Sequence, residues 1–380
     1  MHKIVFYPVG NGDTSQIVID NGKRFLFDFR HLRKAENGDG PEINLQKTLR
    51  DELKNAEKDY FDVVAFTHND KDHIENSTDF FELLHADKYQ GGDRIKIKEL
   101  WVPAAMIIET AANDEQSDEF VIWRQEARHR LKKGKGIRVF SRPDKLKDWL
   151  EGEGIKLEDR MSLITDAGQI VPSYSLEGDG IEFFCHSPFV KHVDNGEDVL
   201  SNEASLIFNV RFRDGDKTFD YLAVGDSTWD VLEDIVGITK YHKNDDRLAW
   251  DIFSVPHHCS YLALSDDKGD RETTPKPKVK ELLLAGKEGA YIVSSSVPIS
   301  DAKEDYDKTQ PPHIQAKNCY KSYLRKIGGA RFMVTMEEPN QRKPAPMVFE
   351  VTNFGVACAK TAVPATAASL LTLMPAPRAG

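Results

Sequence analysis

The stretch Thr67-His68-Asn69-Asp70-Lys71-Asp72-His73 decides the fold, because it places two imidazoles and two carboxylates within seven residues. The run before it, 61–66, is apolar and rich in β-branched and aromatic residues, which predicts a short buried strand. These polar side chains therefore begin where a rigid element ends, and they can converge on one point. An Asn/Asp-rich turn with incidental histidines is the alternative, but turn chemistry does not require this density of ligand types. The stretch predicts a metal site.

Other predicted strands also end in possible ligands. Asp28 ends the strand that follows the Asn21-Gly22 hairpin turn, Asp226 follows the strand 219–224, and His257-His258 follow the strand 251–256. Taken alone, Asp28 and Asp226 are each explained as helix N-caps, whereas Asp28 can also support a metal ligand through a hydrogen bond. Repeated strand ends of this kind favour one shared site.

Periodicity predicts a mixed α/β chain. An antiparallel meander is followed by helices and strands in alternation, and a second set of strands and helices repeats this order. Such a pattern suits two similar β/α halves packed face to face, with ligands arriving from both halves at the shared edge. The polar segment 143–174 predicts an insertion or lid. The helices and strands are expected at 4–7, 16–20, 24–28, 42–57, 61–67, 75–85, 96–102, 120–133, 180–185, 204–212, 219–224, 229–236, 251–256, 279–286, 290–295, 313–325, 332–336 and 348–351.

Composition narrows the class of protein. The chain of 380 residues can bury a substantial core, and no stretch approaches 18 consecutive apolar residues. The start of the sequence leads into a strand rather than a signal peptide, so we expect a cytoplasmic protein. The four cysteines have no C-x-x-C spacing, which suggests neither disulfides nor a zinc knuckle.

The chain has a net charge of -11, but one segment of it is strongly basic. Between Arg124 and Lys147 there are ten Lys/Arg and two acidic residues. A solvated basic helix and loop is one reading, and a face that follows phosphates is the other. On the second reading, the nucleic-acid-binding residues are Arg124, Arg128, Arg130, Lys132, Lys133 and Lys135.

Together these motifs resemble the metallo-β-lactamase fold hydrolases. The resemblance rests on Gly10 to Asp13, Asp28, the 67–73 heptad, Asn202 with Ser205, Gly225-Asp226 and 256–260, in that order. The chain looks most like the soluble catalytic domain of the competence protein ComEC and its relatives, and the likeness covers roughly residues 3 to 352. It departs from the commoner His-x-His-x-Asp-His motif at Asp70, has Cys259 where relatives usually have Gly, and lacks the membrane channel of ComEC.

The resemblance implies a four-layer αββα sandwich, with an insertion around residues 105–174, and two divalent metal ions. His68 and Asp70 would hold one ion, Asp72 and His73 the second, Asp226 would bridge them, and His257 would complete the shell. Asp13, Asp28, Asn202 and Ser205 would support these ligands. A carboxylate at position 70 hardens the site toward manganese, with zinc still open.

Three residues are candidates for catalysis: Asp72, His258 and His313. For His258 the expected role is proton donation to the leaving group or support of a ligand. For His313, contact with substrate and a surface or capping role remain alternatives. A nucleophilic role for Cys259 is not expected, because no recognisable Cys-His-Asn arrangement completes it.

The leading hypothesis is a binuclear phosphodiesterase or nuclease that attacks nucleic acid or nucleotides with a metal-bound hydroxide. A hydrolase of a small ester, lactone, amide or thioester is the alternative, since fold does not fix function. A third possibility is a non-catalytic binding module of a defence or signalling system. We expect one hydrolase domain over 1–355 and an Ala/Pro-rich tail over 356–380, which is a possible contact for a protein partner.

Overall fold

Two β-sheets of nine and six strands form the centre of the molecule. The structure, a computed structural model, describes residues 1–109, 117–189 and 204–359. The order of strands across the first sheet is β15-β14-β1-β2-β3-β4-β5-β6-β7. Its strands are β1 (His2–Phe6), β2 (Ser15–Val18), β3 (Arg24–Phe27), β4 (Tyr60–Ala65), β5 (Lys96–Pro103), β6 (Ile137–Phe140), β7 (Ile164–Thr165), β14 (Met347–Thr352) and β15 (Gly355–Cys358).

The second sheet has the order β13-β12-β11-β10-β9-β8. Its strands are β8 (Ile181–Ser187), β9 (Ile207–Asp214), β10 (Lys217–Val224), β11 (Trp250–Ser254), β12 (Gly286–Ser294) and β13 (Arg331–Val334). The described α-helices are α1 (Leu45–Asn55), α2 (Lys71–Ile74), α3 (Ala104–Ile108), α4 (Asp118–Lys133), α5 (Asp144–Gly152), α6 (Trp229–Tyr241), α7 (Pro277–Leu284) and α8 (Ile314–Lys326).

Three apolar layers hold these elements together. Between the sheets, aromatic rings interlock across the interface: the ring centroids of Phe25 and Phe183 are 5.0 Å apart, and those of Trp101 and Phe208 are 5.7 Å apart. A second layer joins the outer face of the first sheet to α1, α3, α4 and α5, and a third joins the second sheet to α6, α7 and α8. Each sheet is therefore covered on both faces, which confirms the predicted α/β sandwich of two sheets with helices outside.

Strand direction brings the polar strand ends to a common edge. Strand β3 runs parallel to β4, with Phe27 opposite Ala65, and β10 runs parallel to β11, with Leu222 opposite Phe253. Strand β12 continues the parallel run beside β11. Because parallel strands end at the same edge of a sheet, the loops after them lie side by side. The residues that follow β3, β4, β10, β11 and β12 therefore meet at one place.

The predicted helix over 75–85 is wrong. The helix after the heptad is limited to Lys71–Ile74, and the chain then continues in turns. The backbone N–H groups of Ser77 and Thr78 donate to the carboxylate of Glu119 on α4, at 3.1 and 3.3 Å. The phenylalanines of this segment are buried in the first half of the core, so their spacing reflects tertiary burial and not a helical repeat.

The segment 105–174, predicted as an insertion, contributes two strands to the first sheet. Strand β6 pairs parallel with β5, and β7 pairs parallel with β6. Helices α4 and α5 cover the outer face of this extension. In the described ranges, no helix has the length and apolar character needed to cross a membrane. The predicted helical turns at 367–374 lie outside the described residues, and the domain boundary near 355 stays a prediction.

Candidate metal centre

The turn between β1 and β2 forms one wall of the site. The N–H of Asp13 donates to the carbonyl of Asp72 at 3.3 Å, which joins this turn to the heptad. A Cβ on Gly12 would lie 2.7 Å from the same carbonyl oxygen and 2.1 Å from Arg30 Cδ. The Gly-x-Gly-Asp motif is therefore explained by close packing, since a larger residue at position 12 would push the two loops apart.

Asp28 is the residue that fixes the heptad. Its carboxylate accepts the backbone N–H and the hydroxyl of Thr67, both at 2.7 Å, and it lies 2.8 Å from His73 Nδ1. Because a carboxylate only accepts hydrogen bonds, His73 donates through Nδ1 and its Nε2 is the atom left to bind a ligand. Of the two roles predicted for Asp28, the described residues show the contact to a histidine and no helix cap.

The same reasoning assigns the ring nitrogens of two further histidines. The Thr67 hydroxyl donates to Asp28, so its oxygen accepts from His68 Nδ1 at 3.0 Å. His258 Nδ1 lies 2.9 Å from the carbonyl oxygen of Ser295, which follows β12 and can only accept. In His68, His73 and His258 alike, Nδ1 is occupied by an acceptor and Nε2 remains for an ion.

Four side chains form a compact group of possible ligands. One ligand atom from each of Asp13, His73, Asp226 and His258 lies within 4.8 Å of all the others. Asp226 Oδ1 is 3.4 Å from His73 Nε2, and Asp226 Oδ2 is 3.3 Å from His258 Nε2. A tetrahedral ion with bonds of about 2.0–2.1 Å separates its ligands by about 3.3 Å. The spacing around Asp226 therefore fits a divalent ion.

Unsatisfied polar atoms support the same conclusion. Among the described residues, His68 Nε2, His73 Nε2 and Asp226 Oδ1 are buried and have no hydrogen-bond partner. A buried polar atom without a hydrogen bond costs about 1–3 kcal/mol, which the ion pair of His73 Nε2 with Asp226 Oδ1 at 3.4 Å offsets only in part. A bound cation would satisfy all three, so the donor set fits a metal ion on the chemistry of these residues.

Opposite charges shift the acid–base behaviour of this group. Burial opposes ionisation of His73 and His258, but Asp226 lies close to both rings and raises the pKa of each well above the usual value. The two histidines in turn outweigh burial of Asp226 and hold its pKa well below the usual range. Burial raises the pKa of Asp13 to about 6. Without an ion the site is thus a set of His–Asp ion pairs, and metal binding would displace the imidazole protons.

Asp72 and Asp70 extend the group toward solvent. Asp72 Oδ2 lies 2.9 Å from His258 Nε2, and Asp70 Oδ2 lies 3.6 Å from His68 Nε2. Burial opposes ionisation of Asp72, yet its hydrogen bond with His258 and the charge of His73 lower its pKa. Asp70 occupies the N-cap position of α2 without a side-chain capping bond. Asp70 therefore lies beside His68, the ligand with which it was predicted to share an ion, whereas Asp72 lies beside His258, which was predicted for catalysis or support of a ligand.

The structure distinguishes the two adjacent histidines after β11. His258 contributes to the compact group, whereas His257, the predicted ligand, has its ring centroid 6.2 Å from that of His258 and perpendicular to it. The Nδ1 atom of His257 is buried without a hydrogen-bond partner in the described part of the chain, and burial lowers the pKa of this ring. Residues His257, His258 and Cys259 all have left-handed φ angles of 50°, 50° and 69°. This turn sets which imidazole faces Asp226.

Asp13 was predicted to support the ligands, and it lies among them. Its position could be found from topology alone, because β1 and β3 both run antiparallel to β2 and therefore end at the same edge. Asp226 was open to a capping role, but the N-cap of α6 is Thr228. The carboxylate of Asp226 is thus directed to the histidines.

The remaining predicted residues lie around this centre. Ser205 is buried, and a Cβ on Gly225 would come within 2.2 Å of its Oγ, so Gly225 is needed for this approach. His313 begins α8, and its Nδ1 accepts the N–H of Tyr261 at 3.4 Å. Cys259 is buried and burial raises its thiol pKa to a value unsuited to a nucleophile. Asn202 lies outside the described residues.

Several cations of the basic segment make contacts within the fold. Arg130 is 2% exposed and pairs with Glu126 at 2.6 Å. Arg124 and Arg128 donate to the carbonyl oxygens of Glu109 and Ile107 at the end of α3. Lys132 pairs with Glu153 at 3.2 Å, whereas Lys133 and Lys135 are exposed.

No family model matches the chain, and no curated protein matches it. Among solved structures, it is similar to a diphosphatase from the PhnP family, with 11% identity over 94% of this chain and 99% of that chain and a TM-score of 0.32. It is also similar to the class B3 di-zinc metallo-beta-lactamase LRA-12 from an Alaskan soil metagenome, with 12% identity over 85% of this chain and 90% of that chain and a TM-score of 0.32. Likenesses this distant say nothing about the chemistry of this chain.

Proposed function

We propose that this chain is a divalent-metal-dependent hydrolase that cleaves phosphodiesters in nucleic acid or nucleotides. One observation carries the proposal: the Nε2 atoms of His73 and His258 face the carboxylate of Asp226 at 3.4 and 3.3 Å, while acceptors hold Nδ1 of both rings. A group preorganised in this way has the spacing of a metal site and no other occupant among the described residues. The likeness to the catalytic domain of ComEC remains part of this proposal.

Two ions would divide the ligands between them. Asp13, His73, Asp226 and His258, whose ligand atoms lie within 4.8 Å of one another, would hold one ion, with Asp72 beside His258, and the second ion would take His68 with Asp70. Such ions supply a water-derived nucleophile near neutral pH and neutralise charge on the atom attacked and on the leaving oxygen. Carboxylates outnumber imidazoles at the solvent side of the site, which favours manganese over zinc as the working ion.

The chain itself contributes orientation. Asp28 and Thr67 together fix the rings of His68 and His73, so that their ligand atoms need no rearrangement when an ion arrives. Ser295 does the same for His258 through its carbonyl oxygen. Because these ligands are already ordered, little free energy is lost when they bind an ion. The site can then stabilise charge on the substrate without rearrangement.

His313 is proposed to donate a hydrogen bond to substrate. Its Nδ1 accepts from the backbone of Tyr261, and burial lowers its pKa, so the ring is neutral and carries its proton on Nε2. That Nε2 is buried, and the backbone of Thr309 lies close enough to the ring to raise its pKa against the effect of burial. A neutral N–H is suited to an oxygen of a phosphodiester and is unsuited to release of a proton at neutral pH.

A phosphodiester is favoured over a small acyl substrate by the character of the ligands. Asp70, Asp72 and Asp226 are hard oxygen donors, and ions held by such donors retain affinity for the oxygens of a phosphate group. A small acyl substrate would call for an apolar cleft at the site mouth. The side chains identified at this mouth are instead carboxylates and imidazoles, with Asp70 and Asp72 partly exposed.

The test measures metal content and cleavage together. Protein loaded with manganese or zinc is incubated with bis-p-nitrophenyl phosphate, single- and double-stranded DNA and RNA, cyclic dinucleotides and p-nitrophenyl acetate. Asp72→Ala is expected to lower phosphodiester cleavage by about 100-fold or more, whereas Asp245→Ala, an exposed aspartate on another element, should leave it unchanged. The proposal fails if Asp72→Ala behaves like wild type, or if the acetate ester is the substrate that is hydrolysed.

A further inference from the structure

A groove of about 600 Å³ lies along the outer side of α8 and is basic in an otherwise acidic protein. Its floor and walls combine cations with aromatic rings. The residues that matter here are Arg271, Tyr306, Lys321, Arg325, Arg331 and Phe332. This combination of charge and flat apolar surface is typical of sites that bind single-stranded nucleic acid.

Most of the cationic side chains of the groove are available to bind a phosphate. Among the described residues, Arg271, Lys321 and Arg325 are exposed and make no ion pair, whereas Arg331 pairs with Glu338. Glu272 is the acidic residue among those that line the groove. This contrasts with the segment 124–147, where most of the cations donate to carbonyl groups or carboxylates of the same fold. Phosphate binding is therefore better served by the groove than by that segment.

Helix α8 connects the groove with the metal centre. Lys321 and Arg325 are four residues apart, so they lie on one face of the helix, and Asn318 is on the same face, where it donates to the carbonyl oxygen of Arg271 at 2.8 Å. The helix begins beside His313, whose N–H donates to the carbonyl of Cys259 in the turn that carries His258. From His313 to Arg325 the helix rises about 18 Å, a length of about five stacked nucleotides, and its first residues up to Lys317 are buried, so the groove occupies the C-terminal half.

Aromatic rings provide the second element of recognition. Tyr306 is partly buried and packs against the apolar layer of the second sheet, and its backbone carbonyl accepts from Lys268 at 3.0 Å and from Gln315 at 2.9 Å. Phe332 stacks on Tyr320 with ring centroids 6.4 Å apart. A fixed ring beside free cations offers a surface on which an unpaired base can stack, and bases in a duplex cannot use it.

We propose that this groove, which lies along the C-terminal half of α8, binds a single-stranded nucleic acid backbone that is the substrate of the metal centre. The proposal rests on the proposed function, because it names the substrate class of that same site. Its footprint on the enzyme is Arg271, Lys321 and Arg325 for the phosphates and Tyr306 for a base.

The experiment compares two charge reversals of equal size. Lys321→Glu/Arg325→Glu changes the groove, and Lys133→Glu/Lys135→Glu changes the exposed lysines of the segment 124–147. Binding of fluorescently labelled dT20 and of a 20-base-pair duplex is measured by anisotropy at several salt concentrations, without added metal so that no cleavage occurs. We expect the groove variant to bind dT20 at least tenfold more weakly and to lose about 0.7 of salt slope per cation removed. The control variant should stay within twofold of wild type.

Further measurements separate the alternatives. Lys321→Ala/Arg325→Ala guards against misfolding of the charge reversal and should weaken dT20 binding in the same direction. Tyr306→Ala should weaken binding of dT20 more than binding of the duplex. Equal binding by wild type and both groove variants overturns the proposal, as does an equal loss in the control variant. Displacement of dT20 by polyglutamate as effectively as by unlabelled dT20 would mean that the groove takes acidic polymers in general, which also overturns it.

Hydrolysis of bis-p-nitrophenyl phosphate distinguishes this proposal from the function on which it rests. The small diester does not reach the groove, so its cleavage should be the same in wild type and in the groove variants. If the groove variants lose dT20 binding, and neither wild type nor any variant cleaves the diester or DNA, the proposed function is wrong and the proposal that the groove binds single strands is supported. If all proteins cleave the diester and bind dT20 equally, the proposed function stands and the groove fails.

Discussion

Replacing Asp28 with asparagine is predicted to weaken metal binding without removing a metal ligand. The amide introduced by Asp28→Asn would keep its oxygen toward the Thr67 N–H and place an NH2 group where the carboxylate now faces the Thr67 hydroxyl and His73 Nδ1. An NH2 group cannot accept from His73. The ring would then accept through Nδ1 and carry its proton on Nε2, the atom needed by the ion.

The expected size follows from the role of such partners. Loss of a carboxylate that orients a ligating histidine typically costs about 10- to 100-fold in metal affinity, or about 1.4–2.8 kcal/mol. Affinity for zinc and manganese is measured by competition with a chromophoric chelator, and circular dichroism checks the fold. Activity is not required for this readout, so the prediction holds whatever the substrate is.

Asp62→Asn is the matched control. Asp62 is also a buried carboxylate of the first sheet, and it accepts from the N–H of Arg24 and from Lys98, but within the described ranges it bonds to no histidine. Its substitution should change metal affinity less than twofold. An Asp28→Asn variant with wild-type affinity, or an equal loss in both variants, would refute the reasoning that Asp28 sets the tautomer of His73.

Three further predictions concern the stability of the fold. Gly225→Ala should lower the free energy of unfolding in urea by about 1–3 kcal/mol, because the new Cβ would lie 2.2 Å from Ser205 Oγ. Gly152→Ala, whose Cβ would have nothing within 4 Å, should not lower it. Equal effects of the two substitutions would contradict this prediction. Cys259→Gly should be more stable than Cys259→Ala by about 1 kcal/mol, since alanine keeps the cost of a left-handed φ of 69°; the usual order, with alanine better, would show that the turn carries no strain. Burial lowers the pKa of His186 to about 4, below the value of about 6.5 in the unfolded chain, so its stabilising effect is complete above pH 6.5 and is lost as the pH falls toward 4. Between pH 7.5 and 5 wild type should lose about 2 kcal/mol more than His186→Gln, which retains an N–H for the carbonyl of Arg247, and identical pH profiles would refute the assignment.

Most of the secondary structure is predictable from the sequence because strands and turns carry local signals. The Asn21-Gly22 turn, the buried run before Thr67 and the helical spacing over 42–57 all correspond to observed elements. The segment 75–85 is one exception, and the strands β6 and β7 within the predicted insertion are another. The apolar residues Phe80, Phe81 and Leu83 in the segment 75–85 are buried in the core, but the backbone N–H of Ser77 donates to Glu119, which lies 42 residues away in sequence. The pattern of apolar residues within a segment cannot predict a contact with so distant a residue.

The candidate site was predictable in kind, and its exact membership was not. Each strand end that carries a carboxylate or imidazole lies near the others, as the topology requires. Three consecutive residues with left-handed φ angles determine whether His257 or His258 faces Asp226. Residues other than glycine disfavour this conformation, so it cannot be predicted from the sequence. The position of Asp13 beside the ligands follows from the local β1–β2 hairpin, but its membership in the ligand group depends on contacts with His73, Asp226 and His258 that the pairing alone does not give.

The contact between Asp72 and His258 spans 186 residues of sequence. The ion held by Asp13, His73, Asp226 and His258 takes two ligands from each half of the chain, so its full set of ligands is assembled only after both sheets have packed. Bringing such distant segments together has an entropy cost of loop closure. The free energy of metal binding would offset this cost only in the native state. Metal uptake should therefore be the last step of folding, and its rate should report completion of the sandwich rather than formation of its parts.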